Sequence, residues 1–247
     1  MVMDAGVDFR ALGRLRPLSW LSQDQIKRLA MEARLIRTIR GEPIFTGGEE
    51  AKRIFVLLSG AAKLQLENEG QRVLAGLVGP GEVFGVTALL GQPTHVFKCE
   101  AFSDCSSAAL APETFIDIVL GVPLARAKHV LDMTMGRWWG MVVRYSSFVG
   151  LGLRERLAGA LLEIAAKFGV QDARGTLLTL RLTHADLAEL VGASRQRTTE
   201  QLSEFEREHA ILRDGRRLIV VPARMAAMSQ LTHFELPRNT GPEHASK

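Results

Sequence analysis

Cysteine is nearly missing from this chain of 247 residues, where only Cys99 and Cys105 occur, six positions apart and with no second pair. Two thiols cannot assemble a zinc site or a cysteine-ligated iron–sulfur cluster, and a chain this long needs no disulfide to hold a core. Both read as buried thiols in a reducing compartment, and their spacing in a strand-like region does not make them a redox-active pair. No apolar run approaches the ~18 residues that a membrane span requires, and the opening MVMDAGVDFR lacks the basic-then-apolar layout of a secretory signal. The expectation is a cytoplasmic protein with no membrane partner. The six histidines (His95, His129, His184, His209, His233 and His244) show no ligand spacing. Nucleophile elbow, Walker loop, zinc-protease helix and dinucleotide fingerprint are all missing. No enzyme is expected. Charge is nearly balanced, 31 Lys and Arg against 27 Asp and Glu, and the resulting +4 permits a nucleic-acid partner without requiring one.

What is present suffices for two ordinary cores, at 47% hydrophobic and 23% charged content. Over Leu18 to Ala33 the apolar residues Leu21, Ile26, Leu29 and Ala30 fall at helical spacing, with Ser22 and Gln25 forming a capping box at the start. From Arg34 to about Pro112 the apolar period drops to two. These runs are broken by Gly60, Gly70, Gly79-Pro80-Gly81 and Gly91, which predicts a compact antiparallel barrel or roll. A long helix is expected over about Leu124 to Val149. Leu131, Met135, Trp138, Val142, Tyr145 and Val149 are spaced four, three, four, three, four, a heptad seam that predicts a parallel dimer contact. An intramolecular core helix would show the same spacing over so short a run. Val130, Met141 and Phe148 lie to one side, where they would pack on the roll of the same subunit. Ser146, Ser147, Gly150 and Gly152 loosen the end of this helix and place a hinge near residue 150. A helix over Leu153 to Phe168 and a polar loop over Gly169 to Thr176 follow. The fold class is α+β, with expected boundaries at 1–123 for the roll and its leading helix, 124–150 for the dimerisation helix and hinge, 151–236 for a winged helix-turn-helix, and 237–247 for a disordered tail.

Thr183 to Phe205, THADLAELVGASRQRTTEQLSEF, reads as two short helices pinched at Gly192. Thr183 and Asp186 make a capping box, Leu187, Ala188 and Val191 an apolar stripe, and Ser194 a cap for the second helix. Arg195, Gln196 and Arg197 then begin a helix whose side chains suit phosphates and base edges. A helical hairpin with a solvated charged face would share this pattern. Ile211 to Val221 holds two apolar runs about Asp214-Gly215, a dipeptide that favours a type I′ hairpin, flanked by Arg213, Arg216 and Arg217. That is a wing.

This order of parts, with GEPIFTGGEEAKRIFVLLSGAAKL (Gly41–Leu64), GPGEVFG (Gly79–Gly85) and LAELVGASRQRTTEQLSEFE (Leu187–Glu206), resembles the Crp/Fnr family of bacterial transcription regulators over roughly residues 18–225. The resemblance implies a cyclic-nucleotide-binding-like roll that senses an effector, and a homodimer that sets two recognition helices into double-stranded DNA about 34 Å apart. It also implies RNA polymerase as a partner, through the Gly169 to Thr176 loop. The DNA-binding residues so marked are Thr183, His184, Ser194, Arg195, Gln196, Arg197, Thr199, Glu200, Arg216 and Arg217.

Departures from the family pattern narrow the expectation. The cyclic-nucleotide branch clamps its ligand with a Gly-Glu pair and an Arg-Ser pair. Here Val86 follows Gly85, and His95 and Val96 align with the second pair. Met141 and Val142 are apolar where that branch carries hydroxyls. A phosphate taken out of water needs a fixed cation or several donors, so cyclic AMP is not expected. Nor is an iron–sulfur cluster, for want of the N-terminal cysteines of the oxygen-sensing relatives, nor haem, for which His95 and His129 are lone candidates. Val86, His95, Phe97 and Met141 mark a candidate pocket for an unidentified small molecule. On the recognition helix, Arg195, Gln196 and Glu200 stand where relatives commonly have Arg, Glu and a further Arg. Gln196 suits adenine, while Glu200 either accepts from a cytosine amino group or repels phosphate. Thr198 and Gln201 replace residues often apolar in the family, which leaves Leu202 and Phe205 as the clearest anchors. The leading reading is a homodimeric sequence-specific regulator controlled through the roll. The alternative is a small-molecule or redox sensor that acts through a protein partner and carries a vestigial DNA module.

Overall fold

The computed structural model describes residues 7–68, 71–120, 140, 142 and 145–229. The chain divides into two units with the boundary between Arg137 and Trp138.

The first unit opens with helix α1 (Phe9–Gly13), capped by Asp8, and α2 (Gln23–Glu32). The box expected from sequence opens α2: Ser22 Oγ accepts from Gln25 N at 3.2 Å and Gln25 Oε1 accepts from Ser22 N at 2.8 Å. The same glutamine uses its amide nitrogen to bond Ile118 O at 2.8 Å, tying α2 to α3 (Pro112–Leu120). Eight strands lie between: β1 (Arg34–Thr38), β2 (Pro43–Phe45), β3 (Ile54–Ser59), β4 (Ala62–Asn68), β5 (Gln71–Val78), β6 (Val83–Phe84), β7 (Lys98–Ala101) and β8 (Cys105–Leu110). They pair antiparallel in two sheets, ordered β1-β8-β3-β6 and β2-β7-β4-β5. The turn at Pro80-Gly81 is one place where glycine is required. Gly81 sits at φ +84°, and a Cβ there would lie 2.7 Å from Pro17 Cδ.

Alternation along β3 and β8 feeds two cores, because successive side chains point to opposite faces. Ile54, Val56, Ala108 and Leu110 meet Leu12, Leu29, Phe115 and Ile118 of the helices. Phe55, Leu57, Cys105 and Ala109 face the roll interior with Phe45, Ala62, Val78, Phe84 and Cys99. Phe45, Phe55 and Phe84 stack there with centroids 5.2 to 6.2 Å apart. Ser107 is buried on the same strand, and its Oγ has no hydrogen-bond partner among the described residues. A buried unpaired hydroxyl costs about 1–3 kcal/mol, so Ser107→Ala should leave stability unchanged or raise it by ~1 kcal/mol. A urea midpoint that falls in the variant would show that the hydroxyl is satisfied after all.

The second unit comprises α4, helical over residues 145–150, α5 (Leu153–Phe168), β9 (Gly169–Asp172), β10 (Gly175–Leu178), α6 (His184–Val191), α7 (Arg195–Arg207), β11 (Ile211–Asp214), β12 (Arg217–Val220) and α8 (Pro222–Met228). Two expectations need correction here. The segment Gly169 to Thr176, expected as a polar loop, contributes β9 and the start of β10. These strands form a hairpin whose second strand pairs with the wing, Thr176 with Val220 and Leu177 with Ile219, giving one sheet ordered β11-β12-β10-β9. Its polar composition concealed a strand whose partner lies far along the chain. The wing turn is also displaced by one residue. Asp214 pairs with Arg217, so the two loop residues are Gly215 and Arg216. Only Gly215 has positive φ, +59°, the signature of a type II′ rather than a type I′ turn.

Of the expected dimer seam, Leu131, Met135 and Trp138 lie outside the described residues, as do Val130, Met141 and the tail 237–247. Val142 is helical and half-buried, whereas Tyr145 and Val149 are 73% and 79% exposed. Phe148, expected to pack on the roll, lies in the second unit with its ring against Gly192. Among the described residues no helix is long and apolar enough to cross a membrane.

Candidate nucleic-acid interface

The interface is built on caps. Thr183 Oγ1 accepts from Asp186 N at 3.1 Å and Asp186 Oδ2 accepts from Thr183 N at 2.8 Å, which satisfies two donors that the start of α6 leaves free. Leu187, Ala188, Leu190 and Val191 bury the inner face of α6. Gly192 then takes the left-handed conformation at φ +61° and ends the helix, its N–H bonded to Ala188 O. Ser194 starts α7 by accepting from Arg197 N at 3.3 Å.

Along α7, Thr198, Leu202 and Phe205 are fully or almost fully buried. Thr198 is thus an anchor equal to the other two, contrary to expectation, because its hydroxyl donates to Ser194 O at 3.0 Å and needs no water. The opposite face presents Gln196, Glu200, Ser203 and Arg207 to solvent, with Arg195 and Arg197 on its flanks at the N-terminal end. The helix dipole favours anions at that end. Gln196 Nε2 donates to Glu200 Oε1 at 3.0 Å. His184, half-buried at the start of α6, lies 2.8 Å from Thr199 Oγ1 through Nδ1. That hydroxyl already donates to Arg195 O at 2.8 Å, so His184 Nδ1 carries the proton and Nε2 is left with a lone pair in the neutral ring. Burial, then Arg213 and Arg195, hold the pKa of His184 below its ordinary value.

The acidic residues farther along α7 have their own cations. Arg213 of the wing reaches Glu206 Oε1 at 2.6 Å from Nε, and Arg154 of α5 pairs with Glu208 at 2.5 Å and lies over the Phe205 ring at 5.3 Å. Among the described residues no carboxylate pairs with Arg195, Arg197, Arg216 or Arg217, all of which are exposed. Positive charge is left free at the N-terminus of α7 and at the wing tip. Arg156, which sequence reasoning does not single out, holds the turn between helices. It donates from Nε to Val191 O at 3.0 Å and from Nη1 to Leu151 O at 2.7 Å, with its guanidinium 5.5 Å from the Phe148 ring centroid. Nothing in its local sequence distinguishes it from a solvated arginine on an amphipathic helix.

In the roll, the candidate pocket residues have different settings. Val86 is 41% exposed on the short 3-10 helix Val86–Leu90, Phe97 is half-buried, and Met141 lies outside the described residues. His95 is only 4% exposed and stacks on Phe45 at 3.9 Å between centroids, with Nδ1 3.4 Å from Thr87 Oγ1. Burial lowers its pKa, and Glu49 offsets part of that. The unfolded chain therefore binds a proton more readily than the fold does. The roll should keep full stability above the ordinary histidine range near 6.5 and lose it as pH falls below that value toward the depressed folded pKa. Urea midpoints at pH 7.5 and 5.5 test this: His95→Gln should flatten the acid loss, and equal slopes for variant and wild type would refute it. Cys99 and Cys105 are both buried, and burial followed by Asp104 pushes the Cys105 thiol up to about 11, so it is protonated at neutral pH.

Two family models match the chain, one for the cyclic nucleotide-binding domain over residues 37–120 and one for the Crp-like helix-turn-helix domain over 155–228. A CRP-like cAMP-activated global transcriptional regulator of Mycobacterium tuberculosis is 22% identical over 182 residues, 73% of this chain and 81% of that protein. The global nitrogen regulator of Synechococcus elongatus is 27% identical over 184 residues, 73% of this chain and 82% of the other. In fold the chain is similar to FixK2 from Bradyrhizobium japonicum, with a TM-score of 0.68 and 20% identity over 80% of this chain and 97% of that one.

Proposed function

We propose that this chain, which belongs to the Crp/Fnr family of transcription regulators, acts as a homodimer that reads a near-palindromic site in double-stranded DNA under control of a signal received in the roll. Membership itself carries the coarser function, a DNA-binding helix-turn-helix joined to a cyclic-nucleotide-binding-like sensing domain. The observation that supports the finer reading is the charge arrangement of the second unit. Glu206 and Glu208 are neutralised by Arg213 and Arg154, while Arg195, Arg197, Arg216 and Arg217 remain available for phosphates and base edges.

The homodimer is supported by the heptad seam and by Tyr145 and Val149, exposed side chains that a second helix would cover. Cyclic AMP does not fit the residues of the roll. Val86 brings no charge where the cyclic-nucleotide branch has its glutamate, and His95 is stacked against Phe45 with its charged form disfavoured by burial. The signal received in the roll is therefore read as something other than cyclic AMP. RNA polymerase contact through the β9–β10 hairpin and a cytoplasmic location belong to the same reading. The sensor with a vestigial DNA module gains no support from a unit whose caps and exposed cations are in place.

A salt-titrated binding assay on genomic fragments tests the proposal. Binding should be selective among fragments and weaken steeply with salt, log K falling by ~0.9 per neutralised phosphate for each unit of log salt. Equal affinity for all fragments, or none at low salt, would sink it. Sedimentation that finds single chains with and without the preferred duplex would sink the dimer.

A further inference from the structure

We propose that Glu200 is a positioning residue, which orients the amide of Gln196 so that each half-site carries adenine opposite Gln196. This rests on the DNA-binding reading of α7 and names the sequence feature that the same surface selects. Gln196 and Glu200, one helical turn apart, share the exposed ridge opposite Thr198, Leu202 and Phe205, and the bond between them is 3.0 Å long. An ionised carboxylate only accepts hydrogen bonds, so the amide has one orientation, with Nε2 toward Glu200. Oε1 is repelled by the carboxylate and turns away. The proton given to Glu200 is then the one trans to Oε1, and the remaining proton lies beside Oε1.

A donor and an acceptor side by side complement adenine in the major groove, where N6 donates and N7 accepts. Guanine offers two acceptors there, and cytosine a donor alone. A glutamine without Glu200 would rotate freely and lose this discrimination. The neighbouring hydroxyls do not compete for the base: Ser203 Oγ donates to Thr199 O at 3.0 Å and Thr199 Oγ1 to Arg195 O at 2.8 Å, so both protons are spent on the helix backbone. The paired amide is left as the neutral reader between Arg195 and Arg197.

The full-length protein should be used to select binding sites from random duplexes, followed by affinity measurements on the selected site and its single-base variants. For wild type we expect adenine at a symmetric pair of positions, with roughly ten- to hundredfold loss on replacing it. Glu200→Ala should reduce that preference to less than about threefold at those positions alone, and Glu200→Gln, which keeps the side chain's length but can donate to Oε1 as well as accept from Nε2 and so admits both amide orientations, should lose most of it too. Adenine preference that survives in Glu200→Ala overturns the proposal. So does a wild-type preference for cytosine that vanishes in Glu200→Ala, since Glu200 would then be reading the base itself. Selection of a palindrome with no adenine preference also overturns it but leaves the DNA-binding reading standing, and failure to select any sequence overturns both.

Discussion

Gly192→Ala is expected to destabilise the DNA-binding unit by about 3 kcal/mol and to abolish specific DNA binding with it. Two causes add. Gly192 is held at φ +61°, where an L-residue loses about 1–2 kcal/mol through the approach of Cβ to its own backbone. The new Cβ would also stand 2.7 Å from Cε1 and 3.3 Å from Cδ1 of Phe148. Overpacking of this kind costs about 1–3 kcal/mol, and the ring has little room because Arg156 lies across it, anchored to Val191 O and Leu151 O. Gly192→Asn should be less damaging, since asparagine tolerates the left-handed region while retaining the overlap. Urea unfolding of both variants measures the two contributions. A loss below ~1 kcal/mol in the alanine variant, or an asparagine variant as unstable as alanine, would show that the turn is looser than its geometry implies.

Arg195→Ala should weaken binding to the preferred duplex by about 2–6 kcal/mol, twice the 1–3 kcal/mol of one base-reading arginine because the proposed homodimer would lose two. Roughly thirtyfold is the lower end of that range. Arg197→Ala, on the flank of the same helix, should instead lower affinity for all sequences alike and reduce the salt slope by about 1 for each phosphate that is no longer neutralised. The two variants thus differ in what they change, specificity in one case and electrostatic attraction in the other. If Arg195→Ala binds every single-base variant of the site as wild type does, the helix does not read bases through this residue. Thermal unfolding should be nearly unaltered in both, because neither side chain is buried or paired with a carboxylate among the described residues.

The caps were legible because their chemistry is local. Ser22 with Gln25, Thr183 with Asp186 and Ser194 with Arg197 each span three residues, and the predicted hydrogen bonds are all present. Gly192 was legible for the same reason, as was the roll, whose two-residue period survives in the split between its two cores. Thr198 was misjudged because a threonine hydroxyl counts as polar until its bond to Ser194 O, which only helical geometry provides, is taken into account. The β9–β10 hairpin was missed because its second strand is stabilised by Ile219 and Val220, and strand pairing at long range leaves no mark on composition.

Periodicity, capping and turn chemistry therefore determined the roll, its leading helix and the two capped helices of the helix-turn-helix, since each depends on bonds closed within a few positions. Folding in three dimensions decided which charges cancel and which stay free. Arg213 meets Glu206, Arg154 meets Glu208 and Arg156 meets Val191, while Arg195 and Arg197 meet no carboxylate among the described residues. A guanidinium finds its partner wherever chain closure brings an oxygen within about 3 Å, and residue type alone carries no information about that closure.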